Sequence, residues 1–349
     1  MIAIPTTLQN PDLGGNNPLG AITSAPGPTA TLVDSSIFVF RAWFSRGEQP
    51  DTFGRPGGAV HGFVHSVCQW LPRVTPGPVA FAFDPSLRTG FRHRLYPAYK
   101  AQRPPAPEAL RTQFPRIREA LDCLGLAQVS HPEYEADDLI ASLAVMARNQ
   151  GCRVDVMSAD KDLAQIILGQ NDRLCDPERG TMLTRLDIER KLRIRPEQVA
   201  DMLALAGDRS DNIQGLDGVG PSTAAIMLRR FGNLAAILDD PQSIRNCRIR
   251  GAARIAEQVA ERADTLRLAR RLTGLVTDIA ALPPLSKLYP RGPEADAAAR
   301  LEALGVAPSY RRRLLDIAES LAQRTREPAD PDTPARSASS LTTKSAGCQ

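Results

Sequence analysis

Three segments decide the fold: Ala30-Thr-Leu-Val-Asp34, Pro78-Val-Ala-Phe-Ala-Phe83 with Asp84 behind it, and Val154-Asp-Val-Met-Ser158 leading into Ala159-Asp160-Lys161-Asp162. Each is an apolar run of strand length that ends in acid residues. Helical spacing fills the gaps. Val60 to Leu71 reads as one helix, and Glu135 to Asn149 as another. A helix over about residues 108–124 places Leu110, Phe114, Ile117, Leu121 and Leu124 on one face. Ser35 and Ser36 are placed to cap a helix carrying Phe38, Phe40 and Trp43. Strand and helix signals in alternation predict an α/β domain with a mostly parallel central sheet covered by helices.

The flanks differ in composition. Residues 1–29 are rich in Pro, Gly, Asn and Thr and read as a disordered leader. The α/β core is expected over 30–185, and an almost entirely helical region over 186–320. Residues 325–349 read as a disordered Pro/Ser/Thr/Arg-rich tail. The 349-residue chain is 42% hydrophobic, enough for a large core, and its net charge of +4 does not by itself mark a polyanion binder. The charge distribution is more informative. Arg88, Arg92, Arg94, Lys100, Arg103, Arg111, Arg116 and Arg118 share one stretch with only Glu108 and Glu119 against them. Such a stretch suits either a solvated helix face or a polyanion held near acids. The six cysteines form no CxxC pair and have no His cluster beside them, which argues against zinc and for reduced thiols of a cytoplasmic protein. No secretion signal and no bilayer-length apolar run stands out.

Nine acids fall at the ends of strand-like runs or the starts of helix-like runs: Asp34, Asp84, Glu135, Asp137, Asp138, Asp160, Asp162, Asp208 and Asp211. Each alone has a structural explanation, as a cap, a helix-dipole partner or a turn former. Together they are hard to explain so. The carboxyl edge of an open α/β sheet is where ligands bind. Acids gathered there repel one another unless hard cations neutralise them. Oxygen-only donors favour Mg²⁺ or Mn²⁺. Two such ions support phosphodiester hydrolysis, one lowering the pKa of a water and a second, about 4 Å away, stabilising the leaving oxygen. Lys100, Arg103 and Arg41 are the candidate cations for the phosphate, and Tyr99 a candidate to stack on a base.

Gly215-Leu-Asp-Gly218-Val-Gly220-Pro-Ser222-Thr223-Ala224 is hinged by glycines and precedes a helix expected to end at Gly232. Gly218, Gly220, Ser222 and Thr223 would offer amides and hydroxyls to backbone phosphates without reading sequence. No Gly-Lys-Ser/Thr follows, so it is not a Walker loop.

These motifs, with Phe91-Arg-His-Arg-Leu-Tyr-Pro-Ala-Tyr-Lys-Ala-Gln-Arg103, Tyr134-Glu-Ala-Asp-Asp138 and Gly207-Asp-Arg-Ser-Asp-Asn212, resemble the 5′→3′ exonuclease domain of bacterial DNA polymerase I and the related flap endonucleases over about residues 30–285. The resemblance implies a PIN/resolvase-like sheet with a helical arch at about 85–130 and a helix–three-turn–helix at about 200–232. It implies two Mg²⁺ ions, with Asp34, Asp84, Glu135, Asp137 and Asp138 serving mainly one and Asp160, Asp162, Asp208 and Asp211 the other. It places Lys100, Arg103 and Arg41 on the phosphate and K⁺ at the helix–three-turn–helix. It implies DNA with 5′ flaps or ends as the partner, RNA–DNA hybrids included, and work in primer removal and repair. Ser222 stands where the family often has lysine, and Ala159 where it often has glycine. With no polymerase domain following, the chain reads as a stand-alone nuclease. Two other readings stay open: a non-catalytic DNA-binding protein on the same scaffold, and a PIN-like ribonuclease.

Overall fold

The computed structural model describes residues 27–85 and 90–326. The expected leader and tail, and Arg88, lie outside the described residues, apart from the leader's last three positions and the tail's first two. β1 (Thr29–Asp34) is followed by α1 (Ser35–Arg46), α2 (Gly58–Trp70) and β2 (Val79–Phe83). Then come α3 (Phe91–Leu95), α4 (Glu108–Arg111), α5 (Gln113–Cys123), β3 (Ala127–Ser130), α6 (Ala136–Asn149) and β4 (Arg153–Met157). β5 (Arg173–Asp176) and β6 (Thr181–Thr184) complete one six-stranded sheet of order β3-β2-β1-β4-β5-β6. All neighbours are parallel except β5 and β6. The order reverses between β1 and β4, so the crevice at their carboxyl ends is the switch point of the sheet.

Strand alternation sorts the core onto two faces. Leu32, Ala80, Ala82, Val154 and Val156 pack with α6 on one face. Val33, Val79, Phe81 and Phe83 pack with Phe38, Phe63 and Trp70 of α1 and α2 on the other. The chain then becomes helical: α7 (Arg185–Leu192), α8 (Val199–Ala206), α9 (Pro221–Phe231), α10 (Leu234–Asp239), α11 (Ala252–Glu261), α12 (Ala263–Thr273), α13 (Ala297–Ala303) and α14 (Pro308–Arg326). Through Leu314, Ile317, Ala318 and Leu321, α14 returns to the α1–α2 face. Among the described residues, no helix is long and apolar enough to cross a membrane.

Several expectations need correction. Asp34, not Ser35 or Ser36, caps α1, accepting from the Ile37 amide at 3.4 Å. Ser36 Oγ instead accepts from the Asp84 amide. The helix expected over 108–124 is two, because Pro115 supplies no amide proton and restarts the helix at Gln113. The stretch given to an arch contains one five-residue helix, turns, α4, α5 and then a sheet strand, β3. Asp160 and Asp162 stand on a 3-10 helix over Lys161–Ile166, with Asp160 as its N-cap, rather than along a strand edge.

The buried face of α6 seals one side of the sheet through Leu139, Ile140 and Leu143. Leu139→Ala should cost about 2–5 kcal/mol in urea unfolding. A loss near zero would show that α6 does not close the core.

Candidate active site

The strand ends bring acids into one crevice. Asp34 ends β1, Asp84 follows β2, and Asp160 follows β4. Local bonds fix them. Ser158 Oγ donates to Asp34 Oδ2 at 2.8 Å and accepts from the Asp160 amide at 3.0 Å. Asp84 Oδ1 accepts from the Ala136 amide at 2.9 Å, tying β2 to the start of α6. Asp160 Oδ1 accepts from the Asp162 amide at 2.9 Å. Asp208 sits in a turn closed by paired backbone bonds with Ile213, and accepts from both the amide and hydroxyl of Ser210 at 2.8 Å.

The electrostatics show that these carboxylates face one another. Burial pushes the Asp34 carboxyl up to about 7, with Asp84 and Asp160 adding repulsion. Burial raises Asp137 well above the carboxylate range, reinforced by Asp34, Asp160 and Asp84. Burial and then Asp160 and Asp208 push Asp162 up to about 8. Asp208 moves the other way: burial works to raise it, but the Ser210 hydrogen bonds and the neighbouring Asp162 carboxyl outweigh that. Asp162 and Asp208 thus shift in opposite directions, each partly because of the other.

A second group is already neutralised. Lys100 Nζ donates to Glu135 Oε1 at 2.8 Å and lies 3.8 Å from Asp211 Oδ2. Burial disfavours the Lys100 charge, but Glu135 and Asp211 outweigh it and keep the amine protonated. Burial likewise acts to raise Glu135, and Lys100 and Arg92 overcome it. Lys100 takes a left-handed backbone (φ 51°), and its amide donates to the Asp211 carbonyl at 3.1 Å. Asn212, also left-handed (φ 59°), donates from its side chain to the Ala98 carbonyl at 2.8 Å. The Tyr96–Arg103 turn is thus stitched to the 208–212 loop, a contact that sequence spacing does not announce.

Three expected residues take other places. Tyr99 is buried, with its hydroxyl 2.8 Å from Glu135 Oε2 and 2.9 Å from Asp211 Oδ2, so its ring has no exposed face for a base. Asp138 is fully buried and accepts from Arg92 twice, from the Glu135 amide and from the Val276 amide. Those four donors fill its lone pairs, which removes it from any ligand set. Arg41 makes a two-pronged pair with Asp176, both bonds 2.8 Å, and reaches Glu178 at 3.1 Å. Arg103 lies closer to expectation, half exposed, donating to Asp211 at 2.7 Å and to the Ser210 carbonyl at 3.1 Å. Sequence reasoning missed Arg92, Ser158 and Asp176. The first two sit inside the quoted motifs and were read as context.

Among the described residues, no three His, Cys, Asp or Glu side chains already form a closed metal cage. The acids turn instead to nearby amides and hydroxyls, because uncompensated carboxylates repel. Asp160 lies close enough to repel both Asp34 and Asp162, and Glu135 shares Lys100 with Asp211, so the two expected groups of acids adjoin. Hard divalent ions nonetheless fit this donor set. It is all oxygen, burial and then mutual repulsion raise the proton affinity of Asp34, Asp137 and Asp162, and the buried Asp162 Oδ1 accepts no conventional hydrogen bond. An open site suits Mg²⁺, which keeps several waters.

Behind the acids lies the hairpin between α8 and α9. Gly207 and Gly215 approach so closely that a Cβ on either would stand within 2.5 Å of the other's backbone nitrogen. Gly218 is left-handed (φ 83°), and Gly220 caps α9 without any side-chain bond to its first amides. Ser222 is exposed and Thr223 half-buried in that first turn. Arg254 and Gln258 of α11 donate to the Asp217 carbonyl at 3.2 and 3.3 Å, and Arg262, just beyond α11, to that of Gly215 at 3.5 Å.

The model for the 5′-3′ exonuclease N-terminal resolvase-like domain matches residues 29–201, and that for the 5′-3′ exonuclease C-terminal SAM fold matches residues 194–296. The chain belongs to the 5′-3′ exonuclease family. A 5′-3′ exonuclease of Aquifex aeolicus is 35% identical over 60% of this chain and 72% of its own length. DNA polymerase I of Rhizobium leguminosarum is 37% identical over 71% of this chain, but the match spans 24% of that protein. Among solved structures, T5 5′-exonuclease with bound zinc superposes with a TM-score of 0.56 at 20% identity, covering 83% of this chain and all of its own. The catalytic core of Rad2 in complex with DNA substrate gives 0.51 at 14% identity, covering 85% of this chain and 92% of its own. Both share the fold.

The raised carboxyls fix a pH dependence. Their folded pKa values lie above the ordinary value, so stability is lost as pH rises through about 7 to 8, where the cluster must ionise. A divalent cation competes with those protons. Its stabilisation should therefore be small near about pH 6 and approach about 3 kcal/mol at a hundredfold excess over Kd near about pH 9. Thermal unfolding with Mg²⁺ or Mn²⁺ across that range reads this directly. A melting temperature indifferent to the ion at every pH would show that the acids do not form a cation site.

Proposed function

We propose that this member of the 5′-3′ exonuclease family is a Mg²⁺-dependent, structure-specific 5′ nuclease that hydrolyses phosphodiester bonds of DNA at 5′ ends and flaps. The observation that carries the reading is the crevice at the switch point, where Asp34, Asp84, Asp137, Asp160, Asp162 and Asp208 converge beside a protonated Lys100. Asp34, Asp84, Asp137 and Asp160 would hold one ion, and Asp160, Asp162 and Asp208 the other, with Mn²⁺ as a substitute. When bound, the ions supply positive charge that offsets the carboxylates and polarises the scissile phosphate.

The chain's own groups supply the rest. Lys100 has three N–H donors; Glu135 takes one, and a second points toward Asp211, which leaves a donor for a phosphoryl oxygen. Arg103 extends that positive edge toward solvent. Tyr99 holds Glu135 and Asp211 in place from beneath. Arg41, paired with Asp176 and Glu178, would have to give up that pair to contact a phosphate.

Gly218, Gly220, Ser222 and Thr223 would receive the duplex backbone at the start of α9, without sequence preference. The proposal extends to K⁺ on this hairpin. Arg254, Gln258 and Arg262 already meet part of the demand of its carbonyls. RNA–DNA hybrids as substrates, primer removal and repair, and a cytoplasmic location belong to the same proposal. The free state of Cys68, Cys123, Cys152, Cys175 and Cys247 supports that location.

A labelled 5′-flap duplex incubated with Mg²⁺ or with EDTA tests the reading. Cleavage is expected with the metal and absent with the chelator; metal-independent behaviour in both arms would defeat it, and preference for single-stranded RNA would favour a PIN-like ribonuclease. Asp160→Ala and Asp208→Ala should abolish cleavage while duplex binding persists. Lys100→Ala should lower kcat about 10²–10³-fold with little change in duplex affinity. Wild-type turnover in that variant would remove Lys100 from the chemistry.

A further inference from the structure

Arg92 is almost fully buried, yet it carries a charge and sits one turn of chain from the catalytic segment. Its five N–H donors are all engaged. Nε donates to the Leu272 carbonyl at 2.8 Å. Nη1 donates to Asp138 Oδ2 at 2.6 Å and to Glu135 Oε2 at 3.4 Å. Nη2 donates to Asp138 Oδ1 at 2.8 Å and to the Gly274 carbonyl at 2.9 Å. Asp138 completes the knot by accepting from the Glu135 amide at 3.1 Å and the Val276 amide at 3.0 Å. No donor or lone pair is left for substrate.

The partners of this knot matter more than its burial. Leu272 to Val276 forms the end of α12 and the chain just after it, and three of the acid-bearing segments meet this short stretch. Thr273 Oγ1 donates to the Ala200 carbonyl of α8 at 2.8 Å, and α8 runs directly into Gly207 and Asp208. Gln165, on the 3-10 helix that carries Asp162, donates to the Thr273 carbonyl at 3.2 Å and accepts from the Leu275 amide at 3.3 Å. The third tie runs to α6, where Asp138 accepts from the Val276 amide, Ser142 donates to the Val276 carbonyl, and Arg92 fastens Asp138 and Glu135 to the Leu272 and Gly274 carbonyls.

We propose that Arg92 is a positioning residue, whose guanidinium sets the α6 carboxylates against those of the 3-10 helix and the α8 loop, and so fixes the spacing of the cation site. This rests on the nuclease reading above and deepens it. Lysine cannot replace it, since a point charge with three donors cannot span Asp138 and two carbonyls at once.

The test uses Arg92→Lys, Asp138→Asn and the double variant in the full chain. Mn²⁺ binding is measured by calorimetry without DNA, flap cleavage is titrated with Mn²⁺, and flap binding is measured in EDTA. Each single variant should weaken Mn²⁺ binding about 10–100-fold and raise the Mn²⁺ midpoint of cleavage by the same factor, with flap binding unchanged. The double variant should be no worse than the more damaging single one, because both break one joint. If Arg92→Lys does not fold, Asp138→Asn keeps the shape of the joint and carries the same readouts. Unchanged Mn²⁺ binding in a folded variant, beside an active wild type, would reduce Arg92 to a core ion pair and overturn the inference alone. A wild type that neither binds Mn²⁺ nor cleaves would overturn the nuclease reading and this inference with it.

Discussion

Like charges forced together at the carboxyl edge of the sheet are the constraint on which the rest depends. Burial, and then the neighbouring carboxylates of Asp84, Asp160 and Asp208, raises the proton affinity of Asp34, Asp137 and Asp162. In an apolar core such a group would be an error. Here Asp34, Asp84, Asp160 and Asp208 are each fixed by a specific donor: an amide at a helix start, the Ser158 hydroxyl, or the Ser210 turn. The fold withstands the repulsion because two independently packed faces hold the sheet beneath it.

Much of this was legible in the sequence, for a physical reason. Buried parallel strands must be continuous apolar runs, so β1, β2 and β4 announced themselves, and the acids at their ends could be located without coordinates. The strands that were missed lack that signature. β3 reads Ala-Gln-Val-Ser and is only partly buried, while β5 (Arg-Leu-Cys-Asp) and the edge strand β6 (Thr-Met-Leu-Thr) each hold just two apolar residues between polar ends. Edge strands pack on fewer neighbours and so carry a weaker pattern.

The site divides along the same line. Which acids approach one another followed from their places on the strands. Which of them are occupied by the protein's own cations did not, because pairing depends on side chains far apart in sequence. Asp138 and Asp137 are adjacent and chemically identical, yet one lies against a guanidinium and the other faces Asp34. Nothing in a Glu-Ala-Asp-Asp string distinguishes them; the helix rotation that aims one inward does. Tyr99 is similar, since an aromatic beside a lysine suggests a stacking surface until its hydroxyl is seen between two carboxylates.

The return of α14 to the α1–α2 layer has a practical bearing on how this protein can be handled. Leu314, Ile317, Ala318 and Leu321 cover apolar surface around the first two helices, and Arg324 fastens the end to the Val74 carbonyl. Shortened forms that stop where sequence similarity fades, near residue 296, would leave that surface wet and prone to clumping. Purification tags or fluorescent labels belong beyond Arg326, where they leave this closing helix intact.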